Sequence, residues 1–431
     1  MKRRTFLILM VLIIKFSVLF STEICSLELE RDKIFRKESA KKSKLETKAL
    51  APVLTIKDIS SNVSLYEEDN YFLDVKLESM TSNEISVIPC GNIVNSVSFS
   101  DFALGNFNLI VKNNETITFE SKDNVLNFVI NGNSYVSREV IFAGNVKIIS
   151  GKKQKEYTGF LKLNTLDSKV ILYNKVEIEK YLEGVLEKEF PSNVDLDSII
   201  AQAIAIRTYA YKKSLSESLE LCDTTHCQVF NGVSFKPQIT EAVKMTKGVI
   251  LTYNREVISV MYSADAGGAT EDWAEVNNGN TTFPYLTKVV DPFEIKHIEW
   301  NYSIKKNSLL KYLGIKKDIS DIYVSFVSST GRVQKIGFVD KETKKITLVN
   351  GDKLRNILGV NNIKSTLFNI IKKDDLVIFT GKGYGHGFGL CQKTCIEMGK
   401  NDYSYEQILD HFFPNTEFAN IYDSEIVMAK K

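Results

Sequence analysis

The chain has 431 residues, of which 44% are hydrophobic and 25% charged, a composition that fits a globular protein of two or three domains. Its 55 Lys and Arg residues nearly balance its 53 Asp and Glu residues, so no global charge indicates nucleic acid as a partner. A sugar polymer is among the neutral or mixed-charge partners that remain. Six cysteines are too sparse in a chain of this length for a disulfide-stapled scaffold.

The N-terminal residues predict export. Lys2, Arg3 and Arg4 precede an apolar run that extends to residue 20, which is typical of an export signal. No A-x-A cleavage site stands out, so residues 1–26 are predicted to be either a cleaved signal or an uncleaved membrane anchor. Residues 27–50 are dense in charge and poor in apolar side chains, which indicates a solvated spacer.

The composition changes twice further along the chain. Residues 51–155 contain short β-rich stretches, such as 107–111 and 125–130, separated by Asn and Gly. They predict a small β-rich accessory domain without visible chemistry. Strand-like and helix-like segments alternate from 156 to 431, which predicts a catalytic mixed domain. The predicted fold class is therefore α+β.

Residues 177–190 predict an amphipathic helix that ends before Pro191. Its apolar side chains recur at i, i+3, i+4, i+7 and i+8: Ile178, Tyr181, Leu182, Val185 and Leu186. Glu189 continues this spacing, so its carboxyl is predicted to point toward the packed side. The three other acids of the segment are expected to face solvent: Glu179, Glu183 and Glu187.

The position of Glu189 favours a raised pKa. The C-terminal end of a helix carries partial negative charge, and Phe190 and Pro191 add apolar surroundings. A raised pKa is what a general acid working near neutrality requires. The alternative is a frayed helix end with Glu189 in water.

A second helix is predicted from about Asp195 to Lys213. It is rich in alanine, and Gln202 and Arg207 are the polar groups embedded in it. They either satisfy buried backbone groups or bind polar atoms of a substrate.

Cys222, His226 and Cys227 form a compact group of potential zinc ligands, because thiolate and imidazole are the ligands zinc prefers. The motif offers three ligands and no identifiable fourth. A disulfide between the two cysteines and two free thiols are the alternatives.

Two loops contain closely spaced glycines. One holds Gly267 and Gly268, follows a strand and is expected near a cleft. The other, residues 383–392, has glycines at alternate positions and precedes a helix. In it, His386 is expected to donate to a substrate hydroxyl, and Tyr384 or Phe388 to lie against a face of the substrate. A tight structural turn is the alternative. Cys391 and Cys395 are one helical turn apart and are predicted to pack in an apolar face.

Taken in order, seven segments of the chain resemble the stage II sporulation protein D and amidase-enhancer family. They are residues 179–191, 201–210, 222–230, 262–270, 284–292, 383–392 and 405–414. The sequence departs from the family where many members have Ser and this chain has Cys391.

The resemblance implies a lytic transglycosylase that cleaves peptide-stripped peptidoglycan strands, with Glu189 as the single acid and base. A hydrolase would need a second acid, for which Asp223 and Asp265 are the candidates. The resemblance also implies a zinc, more structural than catalytic, on Cys222, His226 and Cys227. Candidate substrate-binding residues all lie in the matching segments: Gln202, Arg207, Tyr209, Gln228, Ser263, Gly267, Gly268, Tyr384, His386 and Gln392.

Other members of the family are described as enhancers of a cell-wall amidase, so a non-catalytic glycan-binding enhancer is the main alternative. A zinc hydrolase that uses the Cys/His cluster is a third hypothesis. The expected partners are glycan strands, a wall amidase and, if the N-terminal segment is uncleaved, the membrane.

Overall fold

The computed structural model describes residues 70–91, 95–101, 104–216, 220–277 and 279–423. The predicted export segment and charged spacer lie outside these residues. Within the described ranges, no helix is long and apolar enough to span a membrane. The mixture of helices and strands confirms the predicted α+β class.

The described residues between 72 and 177, together with a short strand at 221–222, form one curled sheet. Its strands are β1 (Phe72–Lys76), β2 (Glu84–Cys90), β3 (Asn95–Asp101), β4 (Gly105–Val111), β5 (Ile117–Lys122), β6 (Val125–Ile130), β7 (Asn133–Ala143), β8 (Asn145–Ser150), β9 (Lys153–Tyr157), β10 (Phe160–Leu166), β11 (Lys169–Glu177) and β12 (Leu221–Cys222). Their order is β12-β1-β11-β10-β7-β6-β5-β2-β8-β9, and β3 pairs with both β4 and β7.

The domain boundary predicted at residue 155 falls inside this sheet. β10 pairs with both β7 and β11, and β1 pairs with β11, so strands on both sides of the boundary share one hydrogen-bonded ladder. Residues of the sheet and of the helices that follow also belong to one hydrophobic core. The alternating apolar residues of the strands supply one face of that core.

Eight helices follow within the described ranges: α1 (Ile178–Glu189), α2 (Leu196–Ser214), α3 (Pro237–Met245), α4 (Trp273–Val276), α5 (Lys306–Tyr312), α6 (Gly351–Leu358), α7 (Gln392–Lys400) and α8 (Tyr405–Phe412). α1 and α2 match their predicted bounds closely. The predicted apolar stripe of α1 is confirmed, since all five of its members are completely buried. Cys391 and Cys395 are buried as predicted.

The remaining strands form four small sheets. They are β13 (Val249–Tyr253) with β14 (Glu256–Val257) and β23 (Glu417–Asn420); β15 (Tyr262–Ser263) with β22 (Leu390–Cys391); β16 (Glu299–Lys305) with β20 (Phe368–Lys373) and β21 (Leu376–Lys382); and β17 (Ile319–Val327) with β18 (Val333–Asp340) and β19 (Ile346–Asn350).

Residues 299–382 form an insertion with a hydrophobic core of its own, built around Trp300, Ile322, Phe338 and Phe379. The insertion lies between β15 and β22, which pair in parallel. A parallel pair needs a long crossover connection, and here the whole insertion is part of that crossover. The strand-like segments expected in this part of the chain are present, but their separate core was not predicted.

Candidate active site

Glu189 is the last residue of α1, and both of its carboxyl oxygens accept hydrogen bonds. The backbone N–H of Val229 donates to Oε1 at 2.6 Å, and the hydroxyl of Tyr262 donates to Oε2. The residue is partly buried, so it does not curl freely into water as a frayed end would. Two donors from separate segments therefore fix the orientation of one carboxyl group.

Gly184 explains how Val229 reaches this carboxyl. A Cβ at position 184 would collide with the carbonyl oxygen of Gly232 and lie 2.7 Å from the ring of Phe230. Only glycine therefore lets residues 228–232 pack directly against α1. The backbone N–H of Asn231 also donates to the Gly184 carbonyl at 3.3 Å, which ties the loop to the helix.

The pKa of Glu189 is raised above its ordinary value. Burial raises it by penalising the charged carboxylate, and the hydrogen bonds from Tyr262 and Val229 lower it. Burial dominates, so the protonated form is favoured relative to a carboxyl in water. The two donors keep the ionised form accessible.

Tyr181 and Gln228 lie beneath this carboxyl as a buried polar pair. The Tyr181 hydroxyl donates to Oε1 of Gln228 at 3.1 Å, and Nε2 of Gln228 donates to the Ile206 carbonyl at 3.4 Å. Gln228 also hydrogen-bonds to the side chain of Tyr262. Gln228 therefore helps to hold the Tyr262 side chain in place. Gln228 is also a predicted site residue, and the fold brings it next to Glu189.

His386 supports Tyr262 from the glycine-rich loop. The backbone N–H of Phe388 donates to Nδ1 of His386 at 3.0 Å, and the ring also hydrogen-bonds to the backbone of Tyr262. A neutral imidazole with Nδ1 as acceptor and Nε2 as donor satisfies both contacts. Both ring nitrogens are thus occupied by the backbone, which differs from the expectation that His386 donates to a substrate hydroxyl.

The environment keeps His386 neutral. Burial, together with the neighbouring cations Arg332 and Arg355, lowers the pKa of the imidazole to about 4. Arg332 comes from the insertion and is buried against Gly387, where its Nη2 donates to the Ala266 carbonyl. The insertion therefore contacts both the loop that holds Gly267 and Gly268 and the glycine-rich loop 383–392.

The prediction that Glu179 and Glu183 face solvent is wrong. Glu179 forms a buried ion pair with Arg207, whose Nη2 lies 2.6 Å from Oε2, and it also accepts the Gly248 N–H at 3.0 Å. Glu183 is 5% exposed and pairs with Lys180 at 3.0 Å. α1 is covered on more than its apolar stripe, because α2 and α3 pack against it. Glu187 is partly exposed.

Arg207 serves buried groups in this structure. Besides Glu179, its guanidinium donates to the carbonyls of Val249 at 3.0 Å and Val243 at 3.4 Å, and the residue is completely buried. Of the two alternatives considered for this residue, the satisfaction of buried backbone groups is the one observed.

Gln202 and Ser263 are buried polar residues of a different kind. Among the described residues, neither the amide of Gln202 nor the hydroxyl of Ser263 has a hydrogen-bond partner. Gly385, with φ of 125°, packs against Ser263, and a Cβ there would collide with the Ser263 side chain. The glycine-rich loop thus lies directly on β15.

Three other predicted site residues have contacts or positions elsewhere in the fold. The partly buried Tyr209 lies on α2, with Nζ of Lys213 5.9 Å from its ring centre. Tyr384 points toward the insertion, where its hydroxyl donates to Oδ1 of Asn361 at 2.9 Å. Gln392 is the first residue of α7 and is partly buried.

Gly267 and Gly268 lie where the loop meets the insertion. A Cβ on Gly267 would lie 2.8 Å from Cδ2 of Leu367, and one on Gly268 would lie 3.7 Å from Nζ of Lys382. Both glycines have positive φ, so the loop conformation itself also favours glycine there.

Cys222, His226 and Cys227 lie together, directly before residues 228–232, the loop that packs against α1. The two Sγ atoms are 2.8 Å apart, and each lies 3.6 Å from Nδ1 of His226. That Sγ separation exceeds a disulfide bond length of about 2.05 Å. Two sulfurs and one imidazole within 4.8 Å of one another are a donor set that suits zinc.

The two candidate second acids have partners of their own. Asp223 accepts the Ser79 N–H at 2.9 Å and lies 3.7 Å from Nζ of Lys155. Asp265 accepts the N–H groups of Gly267 at 2.8 Å and Ile298 at 2.6 Å. These contacts fix loops.

Comparison with known proteins finds several relatives of this chain. Residues 166–253 match the family model described as stage II sporulation protein. The chain is 27% identical over 266 residues to stage II sporulation protein D of Bacillus subtilis, covering 57% of this chain and 75% of that protein. It is 30% identical over 275 residues to an uncharacterized protein of Brachyspira hyodysenteriae, covering 62% of this chain and 73% of that protein.

The chain belongs to the stage II sporulation protein D family. The family match spans α1, α2 and the loop that holds Gln228 and Val229. Tyr262, the second donor to Glu189, lies outside the matched residues. The chain is also 27% identical over 289 residues to the amidase enhancer of Bacillus subtilis, covering 56% of this chain but only 40% of that protein. Residues 294–389, which include the insertion, match a domain of unknown function (DUF8618).

Sequence reasoning missed Tyr181 and Tyr262 as site residues of this family member. Tyr181 was assigned to the apolar stripe because a tyrosine at helical spacing is usually part of a core. Tyr262 lies in one of the segments that resemble the family, next to the predicted Ser263, and its position there was the available signal.

Proposed function

We propose that this protein is a lytic transglycosylase that cleaves the MurNAc–GlcNAc bonds of peptide-stripped peptidoglycan strands. The observation that carries the proposal is the Glu189 carboxyl at the end of α1, with a raised pKa and both oxygens held by donors. Membership of the stage II sporulation protein D family supports a role in the cell wall.

One carboxyl group suffices for the proposed reaction. Protonated Glu189 donates its proton to the glycosidic oxygen, and the bond to C1 of MurNAc breaks. The ionised carboxylate then accepts the proton of the MurNAc C6 hydroxyl, whose oxygen bonds to C1. The products are a 1,6-anhydroMurNAc end and a free GlcNAc end, no water is consumed, and Glu189 regains its proton.

The contacts of Glu189 suit both steps. Burial favours the acid form before cleavage, and the Tyr262 hydroxyl and Val229 N–H stabilise the carboxylate that forms after the proton leaves. Since the two donors come from separate segments, they hold the carboxyl in one orientation through the cycle.

Cys222, His226 and Cys227 fit a zinc ion by the chemistry of their ligand atoms, with a fourth ligand still to be found. A bound zinc would cross-link the loop that carries Gln228 and Val229. We assign it a structural role, because the proposed steps need only Glu189. A zinc hydrolase is therefore not favoured.

The similarity to the amidase enhancer of Bacillus subtilis favours a second candidate function, a glycan-binding protein that stimulates a cell-wall amidase. We further propose that the protein is exported and acts in the cell envelope, anchored or secreted according to the fate of residues 1–26.

Product analysis separates these functions. Peptide-free glycan strands are incubated with the full chain, and the fragments are identified by mass spectrometry. We expect 1,6-anhydroMurNAc ends. Reducing MurNAc ends would mean hydrolysis, and intact strands that remain bound to the protein would favour the amidase enhancer.

A further inference from the structure

The turn between β17 and β18, residues 328–332, joins the insertion to α4 and to the residues just before that helix. The backbone N–H of Ser329 donates to Oε1 of Glu275 at 2.5 Å, and its hydroxyl donates to Oε2 at 2.6 Å. The hydroxyl of Ser328 donates to Oε1 of Glu271 at 2.8 Å. Two carboxylates of the segment that follows β15 therefore hold the tip of the insertion in place.

Arg332, the last residue of this turn, is buried against the glycine-rich loop. Its Nη2 donates to the Ala266 carbonyl, and its Nε lies 3.7 Å from Oε1 of Glu271. A Cβ on Gly387 would lie 2.5 Å from the guanidinium, and the Glu271 N–H donates to the Gly387 carbonyl at 2.9 Å. The guanidinium, the Glu271 segment and the glycine-rich loop therefore contact one another in pairs.

A continuous series of contacts leads from this guanidinium to the candidate general acid. The guanidinium lies against Gly387, which is the residue between His386 and Phe388. The His386 ring is hydrogen-bonded to the backbone of Phe388 and of Tyr262. The Tyr262 hydroxyl in turn donates to the carboxyl of Glu189. A shift of the glycine-rich loop would therefore reach the Glu189 carboxyl through two side chains.

The hydrogen bonding of Arg332 is poor for a residue that would serve stability alone. Among the described residues, its Nε and Nη1 have no hydrogen-bond partner. Unpaired N–H groups on a buried cation cost free energy. The Glu271 carboxylate has other donors, since Ser328 and Gln334 donate to it at 2.8 and 3.3 Å. Replacing such a poorly paired ion by an apolar side chain of similar size is often neutral for stability.

We propose that Arg332 is a positioning residue, which holds the glycine-rich loop in the conformation in which Tyr262 orients the Glu189 carboxyl. The inference rests on the proposed function and assigns the insertion a part in the reaction. Arg332 acts through the loop and not on the glycan, so its loss should lower kcat and leave KM nearly unchanged.

Steady-state kinetics of the full chain on peptide-free strands tests this role. Arg332→Met should lower kcat about tenfold, keep KM within about twofold and unfold at nearly the wild-type denaturant concentration. Arg332→Lys should recover kcat to within about threefold of wild type, because an ammonium keeps the charge and can make the one hydrogen bond to Ala266. Phe379→Leu, in the insertion core, is the control for stability and should be less stable with unchanged kcat.

A double-mutant cycle tests whether Arg332 acts through His386. If it does, adding Arg332→Met to His386→Ala should lower kcat less than about twofold further, because the second contact in the series is already lost. Effects on kcat that multiply in the double variant would show that the two residues act independently, and this would overturn the proposed series of contacts.

Hydrogen–deuterium exchange reports on the loop without any need for catalysis. The backbone N–H groups of Phe388 and Leu390 are both hydrogen-bonded at 3.0 Å. In Arg332→Met, residues 383–392 should exchange at least about tenfold faster than in wild type. Lys372→Met, which breaks an exposed ion pair of the insertion, should exchange there like wild type.

The failures of the two proposals are distinguishable. If wild type cleaves strands, unchanged kcat or unchanged loop exchange in Arg332→Met overturns the positioning role and leaves the transglycosylase standing. If wild type does not cleave, faster loop exchange in Arg332→Met supports the hold on the loop, while the transglycosylase is overturned. An Arg332→Met protein that does not fold would show a structural role for the arginine and overturn the positioning proposal.

Discussion

The Tyr262 hydroxyl donates a hydrogen bond to Oε2 of Glu189, and this contact joins two segments that are 73 residues apart in the chain. Glu189 ends α1, whereas Tyr262 lies on β15, which is held in place by β22 and His386. The orientation of the carboxyl therefore depends on the glycine-rich loop as well as on the helix that carries it.

The first prediction concerns this hydroxyl. In Tyr262→Phe, Glu189 loses a donor that lowers its pKa, so the pKa rises further. Because the acid form is required, the pH above which kcat/KM declines should move upward, on the order of half a unit to one unit. The maximal kcat should fall about tenfold, since the carboxylate formed during cleavage is less stabilised. Tyr302→Phe, which changes a partly buried tyrosine packed against the core of the insertion, is the control. A pH profile of Tyr262→Phe identical to that of wild type would contradict the account.

The second prediction separates a positioning role of His386 from substrate binding. If His386 acts through Tyr262, His386→Ala lowers kcat and leaves KM nearly unchanged. A histidine that binds substrate would instead raise KM. Steady-state kinetics on peptide-free strands measures the two constants, and a raised KM with unchanged kcat would restore the substrate-binding hypothesis.

His386 also affects stability with a defined sign. Its folded pKa is about 4, below the ordinary 6.5, so the unfolded chain binds a proton at a higher pH than the folded chain. The stability that neutral His386 provides is complete above pH 6.5 and is lost as the pH falls toward 4. The free energy of unfolding, measured with denaturant, should fall less steeply with decreasing pH in His386→Gln than in wild type, because glutamine does not take up a proton. The same pH dependence of this free energy in both proteins would contradict the prediction.

The third prediction tests the close approach of α1 and the loop 228–232. Gly184→Ala forces Gly232 and Phe230 away from the helix and moves the Val229 N–H from Glu189. We expect about 1–3 kcal/mol less stability and at least about tenfold lower kcat. Lys188→Ala, at an exposed position of the same helix, should behave like wild type. Full activity in Gly184→Ala would show that the Val229 contact is dispensable.

The fourth prediction concerns the Cys/His cluster. Purified protein should contain about one zinc per chain, and Cys222→Ser should lose it, because the site has only three local ligands. Cys90→Ser, which changes a cysteine outside the cluster, should keep the metal. Metal-free wild type with a mass two hydrogens lower would instead indicate the Cys222–Cys227 disulfide.

Local spacing predicted α1 and α2 and pointed Glu189 toward the packed side, and the family resemblance decided between this orientation and a frayed helix end. A 3.6-residue period is a property of a short segment, and it points Glu189 to the same side as Tyr181 and Val185. The same reasoning failed for Glu179, because its burial depends on Arg207 in another helix and on the Gly248 backbone. A helical period shows which residues share a face but not how many faces are covered.

The separate core of the insertion could not be predicted from the sequence pattern for a similar reason. Its strands were recognisable, but its separate core depends on long-range contacts such as those of Trp300 with Gly381 and Phe368. The role of His386 also depended on tertiary structure, since both of its ring contacts are with backbone groups that the fold brings together.

The most direct test compares Glu189→Gln with Glu187→Gln, a matched change on the same helix, in the digestion of peptide-free glycan strands by the full chain. We predict 1,6-anhydroMurNAc ends from wild type and from Glu187→Gln, and at least about a thousandfold slower cleavage by Glu189→Gln, which has no proton to donate. Glu189→Gln should fold at least as stably as wild type at pH 7, because it removes a buried carboxylate whose ionisation burial disfavours. Cleavage by Glu189→Gln at the wild-type rate would contradict the central claim.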